Sequence, residues 1–115
     1  MTVVEAVTIL EGQFFAGKDK SNAEVSSAFG SDLMSDVMAF VKDRKLLLTG
    51  LVNPQVIRTA ALLDIQGIIF VRGKVPSRDM IDMAEESGII LASTKLTMFN
   101  SCGRLYEAGL RSGET

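Results

Sequence analysis

The chain has 115 residues, of which 47% are hydrophobic and 23% charged, with a formal net charge of −2. That length fits one domain able to bury about two thirds of the surface its unfolded chain exposes, and the composition excludes disordered and fibrous classes. No apolar run approaches the ~20 residues of a membrane-spanning helix, and the start Met1-Thr2-Val3-Val4-Glu5 lacks the basic stretch of a signal peptide, so a cytoplasmic protein is expected.

Basic residues are scattered and not run together, which argues against a nucleic-acid partner. One Cys and no His leave no internal disulfide and too few soft ligands for a zinc or iron–sulfur site, so no metal or cofactor is expected. A mean hydropathy of +0.27, with six Met and no Trp, is high for a small monomer and predicts a homodimer that covers the surplus.

Thr2 followed three residues later by Glu5 reads as a capping box, opening a helix with Val3, Ala6, Val7 and Leu10 on one face and an end near Gly12. Gln13 to Ala16 and Ala23 to Ala28 are short strand candidates that can pair with each other across the polar stretch from Gly17 to Asn22. Ser31 or Asp32 can cap a helix with Leu33, Met34, Val37, Met38 and Val41 as its apolar stripe.

Three compact apolar runs follow: Leu46 to Thr49, Gly67 to Val71 and Gly88 to Ala92. Without alternation, such strands are buried on both faces. Helical patterns from Pro54 to Asp64 and from Ser77 to Ser87 lie between them, each with a start signal. A last helix from about Thr97 to Leu110 carries Met98, Phe99, Cys102, Leu105, Tyr106 and Gly109 near one face, and the tail from Arg111 to Thr115 is expected to fray. Strand alternating with helix implies one α/β domain over residues 1–115, with a largely parallel central sheet and helices on both of its faces.

In such a sheet, ligands gather at the carboxyl ends of the strands. Thr49-Gly50-Leu51-Val52-Asn53, Arg72-Gly73-Lys74 and Ser93-Thr94-Lys95 should meet there. Thr49, Asn53 and Thr94 can donate hydrogen bonds, Arg58, Arg72 or Lys74 can supply charge, and Gly50 and Gly73 let a ligand approach the backbone. The expected occupant is a small anionic ligand such as a nucleotide, against the plainer reading of ordinary turns with solvated charges.

Cys102, on the apolar stripe with no His to activate it, reads as a buried core thiol, and the Met at 34, 38, 80 and 83 as core or subunit interface. Without His there is no Ser-His-Asp or Cys-His pair, and without a Gly-x-x-x-x-Gly-Lys-Ser/Thr segment there is no P-loop, so no catalytic residues are assigned. The catalytic alternative is a small phosphotransferase or hydrolase using Lys74, Asp79 and Thr94.

Ser31 to Val37, Leu46 to Leu51, Thr59-Ala60-Ala61, Ile68 to Val71 and Gly88 to Leu91 follow a layout that resembles DRTGG domains. Where that family has Gly-Asp-Arg before its helix, this chain has Leu51-Val52-Asn53, and Val71-Arg72-Gly73-Lys74 stands at the Thr-Gly-Gly position. The resemblance, from about Ser31 to Leu110, implies a fold like the N-terminal domain of HPr kinase and a regulatory role. The ending from Cys102 to Leu110 is similar to that of short DRTGG proteins encoded near iron-only hydrogenases. The expected function is a homodimeric, non-catalytic regulatory or adaptor module that binds a small anionic ligand or a partner protein. A purely structural partner of a larger redox complex is a third reading.

Overall fold

The computed structural model describes residues 1–40 and 45–112. Helix α1 (Val3–Ile9) opens with the expected box: Thr2 Oγ1 accepts from Glu5 N–H, and the Glu5 carboxylate accepts from Thr2 N–H at 2.8 Å. The Thr2 N–H, and with it the Thr2 hydroxyl, which also donates to the carboxylate, hold the Glu5 carboxyl below its usual pKa. The remaining elements are β1 (Gln13–Ala16), β2 (Ser27–Gly30), α2 (Met34–Phe40), β3 (Lys45–Thr49), α3 (Pro54–Leu62), β4 (Gly67–Phe70), α4 (Arg78–Ser87), β5 (Ile90–Ser93) and α5 (Met98–Glu107).

The fold is α/β, with a five-stranded sheet in the order β1-β5-β4-β3-β2. β2 to β5 are parallel, and β1 runs antiparallel to β5 at one edge. Leu47, Ile68, Phe70 and Leu91 face a core shared with α2, α3 and α4. Leu46, Leu48, Ile69, Val71, Ile90 and Ala92 face a second core shared with α1 and α5. Both faces of the central strands are therefore covered, which is why these runs show no alternation.

Three further helices are capped by the side chains that precede them, Asn53 for α3, Ser77 for α4 and Thr97 for α5. Gly88 belongs to the end of α4, at φ 71°, and not to the strand expected from Gly88; the left-handed turn it makes is one that glycine adopts without strain. That strand begins at Ile90. Lys45, one residue ahead of the expected strand start, is buried at the head of β3 and donates from Nζ to the Ser112 carbonyl.

Two expectations are corrected. The first two strand candidates do not pair: β1 and β2 lie at opposite edges of the sheet. Ala23 and Val25 pair with the chain start instead, with Val3 N–H donating to Ala23 O and Val25 N–H to Met1 O, and β2 forms four residues later than expected. Neither Ser31 nor Asp32 is the helix cap expected of it. Leu33 O accepts from Val37 N–H at the helix start, Ser31 Oγ accepts from Leu33 N–H, and the Asp32 carboxylate is engaged elsewhere.

Two helix faces also differ. On α2, Val37 is buried and Met34 partly so, but Leu33 and Met38 are exposed, and Val41 lies outside the described residues. The α5 face against the sheet is Met98, Ser101, Cys102 and Leu105, spaced i, i+3, i+4, i+7, while Phe99 and Tyr106 are exposed. The tail is held as far as residue 112, since Ala28 N–H donates to Arg111 O and the Arg111 guanidinium stacks 3.7 Å from the Tyr106 ring; 113–115 lie outside the described residues. No helix among the described residues is long and apolar enough to cross a membrane.

The two-faced burial predicts that Leu91→Ala, which empties space in the core shared with α2, α3 and α4, lowers stability by about 2–5 kcal/mol in urea unfolding. Leu62→Ala, at a residue 72% exposed, should change it by no more than about 0.5 kcal/mol.

Candidate functional site

Because β2 to β5 are parallel, their carboxyl ends share one edge, and β1 enters beside them, with Gln13 opposite Ser93. β4 hands on to a turn in which Arg72 (φ 60°) and Gly73 (φ 72°) are both left-handed. For Arg72 that conformation is costly. Two hydrogen bonds of 2.8 Å hold it there, from Arg72 N–H to Leu96 O and from Gly73 N–H to Thr94 O. The loops after β4 and β5 are thereby joined.

The Arg72 guanidinium lies against Gly50, at the end of β3. A β-carbon at Gly50 would collide with a guanidinium nitrogen and fall 3.2 Å from its Cζ, so a glycine is what makes room for this side chain. Asp32, from the loop after β2, completes the cluster. Its Oδ1 accepts from Gly50 N–H at 2.6 Å and from the Thr49 hydroxyl at 3.2 Å, and its Oδ2 stands 3.9 Å from Arg72.

Among the expected site residues, Thr49, Gly50 and Arg72 thus come together, and Gly73 and Thr94 meet through their backbones. The hydroxyls expected to serve a ligand already serve the chain. Thr49 donates to Asp32 and accepts from Leu51 N–H, while buried Thr94 donates to Leu10 O at 2.7 Å and accepts from Leu96 N–H. Asn53 Oδ1 caps α3. Lys74 is exposed in the Arg72 loop, and Arg58 is exposed in the middle of α3, with no hydrogen bond or ion pair to the cluster among the described residues. Asp79 is exposed in the first turn of α4.

A cleft of about 130 Å³ opens on the β1 and β5 side of this edge, lined by Glu11, Gln13, Gly73, Val75, Thr94 and Lys95 among others and not by Asp32, Thr49, Gly50 or Arg72. A second, more apolar cleft of about 170 Å³ lies at the other edge strand, between β2, α5 and Arg111-Ser112. Cys102 is on its wall. The thiol is half-buried and not wholly inside the core as expected, and burial pushes its pKa above the usual value, so it stays protonated near neutral pH. Among the described residues no group of three or more Cys, Asp and Glu side chains is placed to hold a metal ion.

Asp32 is the site residue that sequence reasoning missed. With β2 placed four residues early, Asp32 fell in a helix-capping position; with β2 at Ser27–Gly30, it stands in the loop at the carboxyl edge of the sheet. Lys95, though in an expected edge loop, was not singled out.

No protein-family model and no curated protein matches this sequence. Among solved structures, the chain resembles the CBS and DRTGG domains of the regulatory region of Clostridium perfringens pyrophosphatase, in complex with the activator diadenosine tetraphosphate. The TM-score is 0.77 at 12% identity, over 90% of this chain and 45% of that one. The chain therefore spans less than half the length of the structure it matches. The likeness supports a DRTGG-like fold.

Two substitutions separate the parts of this edge. Thr94→Val leaves Leu10 O and Leu96 N–H without their partner and should cost about 1–3 kcal/mol in urea unfolding. Gly50→Ala collides only with the flexible tip of Arg72 and touches Asp32 Oδ1 at an ordinary 3.4 Å, so stability should change by less than about 1 kcal/mol, while the guanidinium is expelled from the strand end, visible in a crystal structure of the variant.

Proposed function

We propose that this chain is a homodimeric, non-catalytic regulatory or adaptor module that takes a small anionic ligand at the carboxyl edge of its sheet. The observation that carries the reading is the placement of Arg72. A left-handed non-glycine residue is pinned by two backbone hydrogen bonds, and its guanidinium is laid over a glycine at the end of the neighbouring strand. Preorganised guanidinium groups recognise phosphate and carboxylate well, because little freedom is lost on binding. Lys74 and Lys95 add exposed positive charge in the same two joined loops.

The regulatory part draws on the fold shared with a regulatory region whose activator is a dinucleoside polyphosphate, which makes nucleotides the first ligand class to try. The phosphotransferase or hydrolase alternative assigns work to the Thr94 hydroxyl, which is buried and donates to Leu10 O. A single-domain chain in the cytoplasm fits this reading. A role beside hydrogenase or energy metabolism follows from the resemblance alone, and co-purification from the native source tests it.

The homodimer draws on exposed apolar side chains on the two helices that flank β2. Leu33, Met38 and Phe40 lie on or just before α2, and Phe99 and Tyr106 on α5. Exposed apolar side chains of this kind, on either helix, are what a second copy, or a partner protein, would cover.

Thermal unfolding against nucleotides and phosphorylated metabolites tests the ligand. A compound at 100 times its dissociation constant should stabilise by about 2.7 kcal/mol, and Arg72→Ala and Lys74→Ala should each reduce the shift. Sedimentation at micromolar concentration should show a dimer that Phe99→Asp weakens. A monomer that binds nothing in the panel would overturn the reading, and a dimer that binds nothing would favour a protein partner.

A further inference from the structure

The Asp32 carboxylate occupies the place that an anionic ligand would take in the reading above. A backbone N–H (Gly50), a hydroxyl (Thr49) and a guanidinium (Arg72) converge on its two oxygens, the first at 2.6 Å, short for a hydrogen bond and in keeping with a charged acceptor. These are the donor types with which proteins hold phosphate and carboxylate groups. We propose that Thr49, Gly50 and Arg72 form an oxyanion receptor whose resting occupant is the chain's own Asp32, so that the phosphate group of a ligand enters by displacing that carboxylate. This rests on the reading of the edge as a ligand site and adds what fills the site when no ligand is there.

The burial pattern fits an exchange. The Asp32 and Arg72 side chains are 53% and 51% exposed, so the carboxylate can swing into solvent and the guanidinium can meet a ligand. Gly50 and Thr49, in contrast, are buried, and their donors would be left unsatisfied if Asp32 departed with nothing in its place. Water can enter from the exposed side, and an anion, which accepts charge-assisted hydrogen bonds from these donors, fills the place better than water does. Position 50 contributes its backbone N–H, and being glycine it lacks the β-carbon that would push Arg72 away.

The test is the dissociation constant for inorganic pyrophosphate, measured by calorimetry on the full chain and on Asp32→Ala, Asp32→Asn, Asp36→Asn and the double variant Asp32→Ala/Arg72→Ala. Asp32→Ala should bind at least about tenfold tighter than the unaltered chain, since an internal competitor with charged hydrogen bonds has been removed. Asp32→Asn keeps an acceptor for Gly50 N–H and loses the charge, so it should gain less. It also carries the test if the alanine variant fails to unfold cooperatively. Asp36→Asn makes the same change of charge at an exposed position on α2 and should gain nothing.

An unchanged dissociation constant in both folded Asp32 variants overturns the inference, as does a gain that survives loss of Arg72 or is matched by Asp36→Asn. Pyrophosphate binding by the unaltered chain with no gain in the Asp32 variants would remove the internal occupant and leave the ligand site standing. Absence of binding in every variant would overturn the receptor itself.

Discussion

Strands β3, β4 and β5 carry apolar side chains on both faces, and the placement of the helices follows from the need to cover them. Leu46 and Leu48 require α1 and α5 on one side, while Leu47 between them requires α2, α3 and α4 on the other. Backbone groups inside such a sheet pair with one another, so polar chemistry is driven to the strand ends. Parallel order then gathers four of those ends at one edge, and the antiparallel β1 brings Glu11 and Gln13 to the same place.

The edge is braced well beyond what a set of ordinary turns requires. Val71 N–H donates to Thr49 O, Arg72 N–H to Leu96 O and Gly73 N–H to Thr94 O, while the Thr94 hydroxyl ties the loop after β5 to the end of α1 through Leu10 O. Asp32 ties the loop after β2 to the end of β3. The left-handed conformation of Arg72, which costs of order 1–3 kcal/mol, sits at the centre of these braces. Residues held in sparsely populated conformations by over-determined surroundings are found at binding sites more often than elsewhere, because such a site cannot relax away from its ligand geometry.

Much of this was legible in the sequence. Thr2 with Glu5, Asn53 with Pro54, Ser77 and Thr97 mark helix starts through chemistry confined to three or four residues, and the three apolar runs mark the central strands without reference to anything distant. The same locality explains what was not legible. Asp32 and Gly50 are 18 residues apart, and an Asp near a helix start carries the same local signal whether it caps that helix or reaches across to another strand. β1 and β2 invite pairing because neighbours in sequence usually pair, yet the backbone of Ala23 and Val25 was claimed by the chain start. On α5 the packing face turned by about one position, because buried Ser101 at its centre does not register as apolar whereas exposed Phe99 does. The hydroxyls of Thr49 and Thr94 were legible as lying at the carboxyl edge of the sheet, but their burial and internal partners depend on the packed structure.

The proposed function rests on a rigid sheet edge with an arginine fixed over a glycine, offered to an anion. Its most direct test is a nitrogen-15 amide NMR titration of the unaltered chain with inorganic pyrophosphate. The account predicts saturable shifts concentrated at Gly50, Arg72 and Gly73, with the amides lining the apolar cleft at Cys102 and Leu105 unmoved. Saturable shifts confined to that cleft, or none at the sheet edge at millimolar pyrophosphate, would contradict it.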